Sequence, residues 1–295
     1  MLESLLGDNV IGSEFATVHE VDQSERDGVE RIEMTATTQT GETVPLTLLL
    51  PLVSLGAEQR TLPAILYCHA HGNDYANSRL ELLEGRPSLH APYGPDLTRA
   101  GFAVLSMDMP CFGARQQPGE QARGKAHLWR GTTLFGQMLH ELVAGISLLS
   151  SHPRIDHNRI GALGFSMGST HAYWLAALDE RVKAAVALCS FGDLGTLLET
   201  GAHDGHGLYM TVPGLTERFS TGQIAGLAAP RALFIGAGMQ DWSTPLDAFS
   251  KARAELELAY AEAPEQLAFH VEPDTGHEET PDMRAAALAF LEAHL

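Results

Sequence analysis

The chain has 295 residues, with 19 Lys and Arg against 37 Asp and Glu, a formal net charge of −18 at pH 7. That balance repels a phosphate backbone and an anionic membrane surface, which argues against nucleic-acid and membrane partners. With 44% hydrophobic and 19% charged residues the composition is that of a globular chain, not a disordered or fibrous one, and the length suits one large domain or two small ones.

The opening MLESLLGDNVIGSEF carries acidic residues at 3, 8 and 14 and lacks the basic head and long apolar centre of a secretory signal. No apolar run reaches the roughly 18 residues that a membrane-spanning helix needs. A cytoplasmic location is the expectation. No repeat or low-complexity linker divides the sequence, so a single domain, 1–295, with insertions is expected. Cys68, Cys111 and Cys189 are an odd set without zinc-type spacing and read as reduced, buried thiols.

Three β-rich stretches come first, Thr17 to Val21, Val29 to Thr37 and Thr43 to Leu50, separated by Asp-Gly and Thr-Gly turn signals. They read as antiparallel edge strands. Short apolar runs without alternation follow, at Ala64 to Cys68, Ala103 to Met107, Ile160 to Phe165, Ala184 to Cys189, Ala232 to Ile235 and Leu267 to Val271. Strands buried on both faces read this way. Helical patterns stand between them at Gly136 to Leu149, Met167 to Ala177, Pro245 to Ala261 and Met283 to His294. The alternation predicts an α/β fold with a mostly parallel sheet, whose site lies at the carboxyl ends of the strands. Asn73 to Pro95, Pro110 to Trp129 and Phe191 to Ala229 are too long for simple connections and are expected to roof that site.

At the end of the Ile160 run stands Gly164-Phe165-Ser166-Met167-Gly168, a G-x-S-x-G pattern between a strand and a helix. Glycines let so sharp a reversal close while the serine projects from it, and the new helix aims free N–H groups at an oxyanion formed beside Ser166. A serine hydroxyl needs a base to take its proton and a carboxylate to orient that base. Asp241 and His277 each follow a buried run by a few residues and so lie on the same rim as Ser166, in the chain order Ser, Asp, His. Asp193 and Asp247 are the alternative acids. Met167, with Gly72 and Asn73 in the turn after the Ala64 run, is the candidate oxyanion hole; Gly72 would let the backbone approach the substrate. His69 and His71 also admit a metal reading together with the 201–207 cluster, but alternate residues of an extended segment point apart, and no metal is expected. Seven basic residues against five acidic ones between Arg79 and Arg130 leave two readings, a site for a carboxylated substrate or solvated surface charge.

Taken together, Tyr67 to Asn73, Ser106 to Gly113, Gly164 to Gly168, Ala229 to Pro245 and Gly276-His277-Glu278 resemble the α/β-hydrolase superfamily over roughly residues 40 to 295, and within it the dienelactone hydrolase-like and acetyl xylan esterase-like branch of serine esterases. The resemblance implies a central sheet of about eight strands, cap-like insertions, a triad of Ser166, Asp241 and His277, an acyl-enzyme route on a small-molecule ester, and no cofactor. Dienelactone hydrolases carry a cysteine nucleophile, so Ser166 favours an ordinary short-acyl carboxylic ester. A prolyl-oligopeptidase kind of peptidase or amidase and a non-catalytic ligand-binding member are the competing readings, and a homo-oligomer is compatible with all three.

Overall fold

A computed structural model describes residues 2–7, 10, 12–52 and 61–295; Asp8, one of the acidic residues of the opening stretch, lies outside them. In chain order the strands are β1 (Thr17–Arg26), β2 (Val29–Thr37), β3 (Thr43–Pro51), β4 (Leu62–Cys68), β5 (Ala103–Met107), β6 (Ile155–Phe165), β7 (Val182–Leu188), β8 (Ala232–Gly238) and β9 (Leu267–Glu272). The helices are α1 (Glu81–Glu84), α2 (Tyr93–Arg99), α3 (Glu120–Trp129), α4 (Leu134–Ser151), α5 (Met167–Leu178), α6 (Leu194–Thr200), α7 (Thr221–Gly226), α8 (Leu246–Ala259) and α9 (Pro281–His294).

All nine strands form one sheet in the order β1-β2-β3-β5-β4-β6-β7-β8-β9. The β1, β2 and β3 pairings and the β3–β5 pairing are antiparallel, and every pairing from β5 to β9 is parallel. Among the described residues the count is nine, one more than the approximate eight implied by the resemblance. β1 also runs past Val21 to Arg26, carried across a register shift between Glu20 and Asp22 by its pairing with β2. Because β1 forms the sheet edge, nearly all of it is exposed, and its polar composition suits that position.

β2 alternates between buried and half-buried residues, as a strand packed on one face does. β5, β7 and β8 are buried almost throughout, because helices cover both faces there. β9 departs from the expectation of a strand buried on both faces, since every residue in it is only half-buried. It closes the parallel edge of the sheet, and among the described residues no strand lies beyond it.

Alternate residues of the strands feed two cores. Ala64, Leu66 and Cys68 of β4 belong to one core with Leu142, Ile146 and Leu175 of α4 and α5, whereas Ile65 and Tyr67 belong to the other with Leu97 of α2 and Leu291 of α9. Cys68, Cys111 and Cys189 are buried free thiols. Among the described residues no helix is long and apolar enough to cross a membrane.

α4 starts two residues before the apolar pattern suggests. Thr133 caps it, accepting the Gly136 amide at 2.9 Å, and the same hydroxyl donates to the Leu6 carbonyl at 2.9 Å. Both bonds are buried, so Thr133→Ala should lower unfolding stability by about 1 kcal/mol or somewhat more, read as a shift of the urea midpoint with an unchanged slope.

Candidate active site

The reversal from β6 into α5 is set by backbone packing. A Cβ at Gly164 would collide with the Gly168 backbone, and one at Gly168 with the carbonyl oxygen of Cys68 at the end of β4. Strand and helix therefore meet at a separation open only to glycine. Between them Ser166 is held at φ 57°, ψ −118°, a conformation unfavourable for a residue with a side chain. Its amide is fixed by donating to the Leu188 carbonyl at 2.8 Å. The hydroxyl projects into a cleft of about 140 Å³ lined by Gly72, Asn73, Tyr209, Trp242 and His277 among others.

Ser166 Oγ lies 2.9 Å from His277 Nε2, and His277 Nδ1 lies 2.8 Å from Asp241 Oδ2. A carboxylate oxygen only accepts, so Nδ1 carries the ring proton and Nε2 is free to accept from the serine hydroxyl. Asp241 is buried, and its other oxygen accepts the Ser243 amide at 2.8 Å and the Ser243 hydroxyl at 2.7 Å. Ser243 Oγ is itself 3.0 Å from His277 Nδ1. Ser243 was not singled out from the sequence, although its place two residues beyond the candidate acid is the signal that would have found it.

The alternative acids lie elsewhere. Asp193 caps α6 through the Thr196 amide at 2.9 Å and pairs with Lys251 at 2.7 Å. Burial opposes its ionisation, but Lys251 and Thr196 outweigh this and hold the carboxyl below the usual range. Asp247 sits in the first turn of α8.

At α5 the Met167 amide, as the first helical N–H, has no carbonyl within the helix to reach. Across the cleft, Asn73 has φ 54° and its amide donates to His71 Nδ1 at 3.0 Å. Gly72, also at positive φ, leaves space that the Arg86 guanidinium fills; a Cβ there would collide with it. That side-chain contact is a reason for the glycine that the sequence does not reveal.

His71 Nε2 in turn donates to Glu120 Oε2 at 2.7 Å, because Nδ1 is the acceptor of the Asn73 amide. Glu120 also accepts the Tyr75 hydroxyl at 2.8 Å and the Tyr209 amide at 2.8 Å. One buried carboxylate thereby ties the 71–73 turn to the segment that supplies Tyr209 to the cleft. No local motif marks Glu120. His69 directs its ring nitrogens to the Ala70 carbonyl at 2.9 Å and the Ser78 hydroxyl at 3.0 Å. Among the described residues no three candidate metal ligands gather.

The basic residues between Arg79 and Arg130 are mostly paired. Arg79 bonds Asp108, Arg86 bonds Glu81, Arg99 bonds Asp96, and Arg115 and Arg123 both reach Glu42. Lys125 and Arg130 are exposed on or just after α3, and neither lines the cleft. Of the aromatic residues on these segments, Trp129 is 91% exposed and Phe135 and Phe191 are in the core, whereas Tyr209 stands on the cleft wall.

Residues 63–234 match the family model for the alpha/beta hydrolase fold, more than half of the chain, and the chain belongs to that family. A Bacillus subtilis (strain 168) protein carrying the name "Putative hydrolase YtaP" is 36% identical over 235 residues, 79% of each chain. Acetyl xylan esterase 1 from a Thermoanaerobacterium species superposes with a TM-score of 0.68 at 16% identity, covering 99% of this chain and 92% of that one. A glucuronoyl esterase from Solibacter usitatus gives 0.66 at 14% identity, covering 99% and 91%. At such identities these likenesses speak for the fold.

Burial raises the pKa of Glu120, but the bonds from His71, Tyr75 and the Tyr209 amide outweigh it and hold the carboxyl below its ordinary 4.5. Its contribution to stability is therefore complete above the unfolded-chain value and disappears as pH falls through the lower native value. Glu120→Gln places an amide NH₂ against one of these donors. It should lower stability by about 1–3 kcal/mol at pH 7 and flatten the acid limb of the stability profile, measured by urea unfolding between pH 3 and 7.

Proposed function

We propose that the protein is a serine esterase that cleaves small, short-acyl carboxylic esters through an acyl-enzyme. The observation that carries the reading is the hydrogen-bonded chain from Ser166 through His277 to buried Asp241 at the wall of a cleft of about 140 Å³. A chain of this kind activates a hydroxyl that is otherwise a poor nucleophile at neutral pH.

In the first step Ser166 Oγ attacks the ester carbonyl carbon as its proton passes to His277 Nε2. Asp241, buried and bonded to Nδ1, stabilises the imidazolium. The Met167 amide receives the developing oxyanion, and the turn of Gly72 and Asn73, whose Asn73 amide donates to His71, forms the opposite side of the hole. His277 then protonates the leaving alkoxide as the carbonyl–oxygen bond breaks, and the acyl group stays on Ser166. A water, giving its proton to the same nitrogen, releases the acid and restores the serine.

Small volume supports a short acyl group, since about 140 Å³ is well below the size of a pocket for a drug-sized ligand. The neighbours in fold named as an acetyl xylan esterase and a glucuronoyl esterase agree with ester chemistry. The pairing of most of the Arg79–Arg130 cations with protein carboxylates favours an uncharged ester over a carboxylated one.

Hydrolysis of p-nitrophenyl acetate, butyrate and octanoate should fall with acyl length in the wild type and drop by about 10⁴-fold or more in Ser166→Ala. Undiminished turnover in the folded variant would remove Ser166 as nucleophile, and wild-type inactivity on all three would overturn the esterase reading in favour of ligand binding. Asp241→Asn should lower kcat by about 10⁴-fold without changing the melting temperature by more than a few degrees. Near-normal kcat would take the acid role from Asp241.

A further inference from the structure

The turn after Asp241 brings a further hydroxyl to the point where the acid and the base of the candidate triad meet. Ser243 is 4% exposed, and its Oγ lies 2.7 Å from Asp241 Oδ1 and 3.0 Å from His277 Nδ1. Its backbone is held at both ends of the residue. The amide donates to Asp241 Oδ1 at 2.8 Å, and the carbonyl accepts from His206 Nε2 at 3.0 Å. A hydroxyl on so constrained a backbone has little freedom to leave the acid and the base.

That hydroxyl has one proton, and its two neighbours differ in what they can do with it. Given to His277 Nδ1, the proton would require the ring to carry its own hydrogen on Nε2. Asp241 Oδ2 would then face a nitrogen without a hydrogen at 2.8 Å, and Nε2 could not accept from Ser166. Asp241 Oδ1 only accepts and lies nearer, so the Ser243 proton goes there. The oxygen of Ser243 is left with its lone pairs towards the ring. The hydrogen on Nδ1 therefore has two acceptors, Asp241 Oδ2 and Ser243 Oγ. Thr244 Oγ1, at 3.4 Å, is at the limit of hydrogen-bond length and competes weakly for the Ser243 hydroxyl.

One side chain thus grips both partners, donating to the carboxylate and accepting from the imidazole. The grip bears on the transition state more than on substrate binding. When His277 takes the Ser166 proton the ring becomes a cation, and a bond from Nδ1–H to an oxygen whose own hydrogen points away strengthens at that moment. The same bond resists rotation of the ring, which keeps Nε2 directed at Ser166.

We propose that Ser243 is a positioning residue of the triad: its hydroxyl clamps the Asp241 carboxylate and the His277 ring to each other, with Nε2 towards Ser166. The proposal rests on the esterase reading above. Ser243 adds no covalent step and touches no reacting atom; it acts through Asp241 and His277.

The test measures kcat and KM for p-nitrophenyl acetate, and the low-field proton resonance of His277 Nδ1–H, in wild type, Ser243→Ala and Ser243→Thr. The resonance is assigned by its loss in His277→Gln. Alanine removes the hydroxyl and leaves the amide bond to Asp241 Oδ1 in place. It should lower kcat and kcat/KM together about ten-fold, with KM within two-fold, and move the resonance to lower field as the hydrogen turns to Asp241 alone. Threonine keeps the hydroxyl and should recover most of the rate and the wild-type resonance. Matching melting curves establish that the variants are folded; if threonine does not fold, Ser243→Cys, a weaker donor in the same place, should give an intermediate kcat. An unchanged kcat in Ser243→Ala, an equal loss in Ser243→Thr, or a loss of rate with an unmoved resonance overturns the assignment. Wild-type inactivity on p-nitrophenyl acetate, butyrate and octanoate overturns the esterase reading and this role with it, a result distinct from an active enzyme that Ser243→Ala does not slow.

Discussion

The site depends on one close approach of backbone to backbone. Where β6 turns into α5, Gly168 packs against the Cys68 carbonyl and Gly164 against Gly168, at separations that exclude any side chain. Three elements are locked there: the end of β4, the end of β6 and the start of α5. The lock has two effects. It forces Ser166 into a positive φ that a free serine would avoid, and it brings the 69–73 turn, which continues directly from β4, alongside the helix N-terminus. The candidate nucleophile and its candidate oxyanion donors thereby come from segments nearly a hundred residues apart in sequence without any side-chain contact between them being needed.

That geometry explains what was legible in the sequence. The elbow depends on a five-residue pattern and the strand before it, and both are local. Asp241 and His277 could be expected beside Ser166 because parallel strands place the residues following them on one rim, so a position in sequence becomes a position in space. The structure sets those two side chains and Ser166 within hydrogen-bonding distance of one another. Local patterning does not carry topology in the same way. The half-exposure of β9 follows from its place at the sheet edge, and β1 extends beyond its apolar residues because β2 lies beside it. Gly72 could be read as a glycine requirement, but its reason, the guanidinium of Arg86, could not.

His206 and Glu120 were illegible for a related cause. Each acts through a partner remote in sequence: His206 meets the Ser243 carbonyl 37 residues on, and Glu120 meets His71 49 residues back. Both stand in stretches expected to be insertions, Glu120 as the first residue of α3 and His206 beyond α6, and no local pattern in either stretch points to a partner so far along the chain. The motif Gly201 to Gly207 drew attention for its histidines as possible ligands. In the folded chain His203 and His206 instead bond to the carbonyls of Leu197 and Ser243.

The acidity of the chain is partly used to hold these irregular segments together. Loops leaving the carboxyl edge of a parallel sheet have no ladder in which to satisfy their amides, and a buried carboxylate, with several acceptor sites, can satisfy many donors at once. Glu81 takes the Tyr67 hydroxyl, the Ala70 amide and Arg86; Asp108 takes the Arg79 and Ala114 amides and the Arg79 side chain. Glu279 takes the Tyr93 hydroxyl, the His90 amide and Arg284, and so ties the loop bearing His277 to the 90–93 segment. Burying such a charge is unfavourable unless its partners are all in place, which makes each of these hubs intolerant of a misplaced loop. The same requirement that makes the carboxylates costly therefore restricts the loops to one arrangement, and the side chains of the candidate site inherit their positions from it.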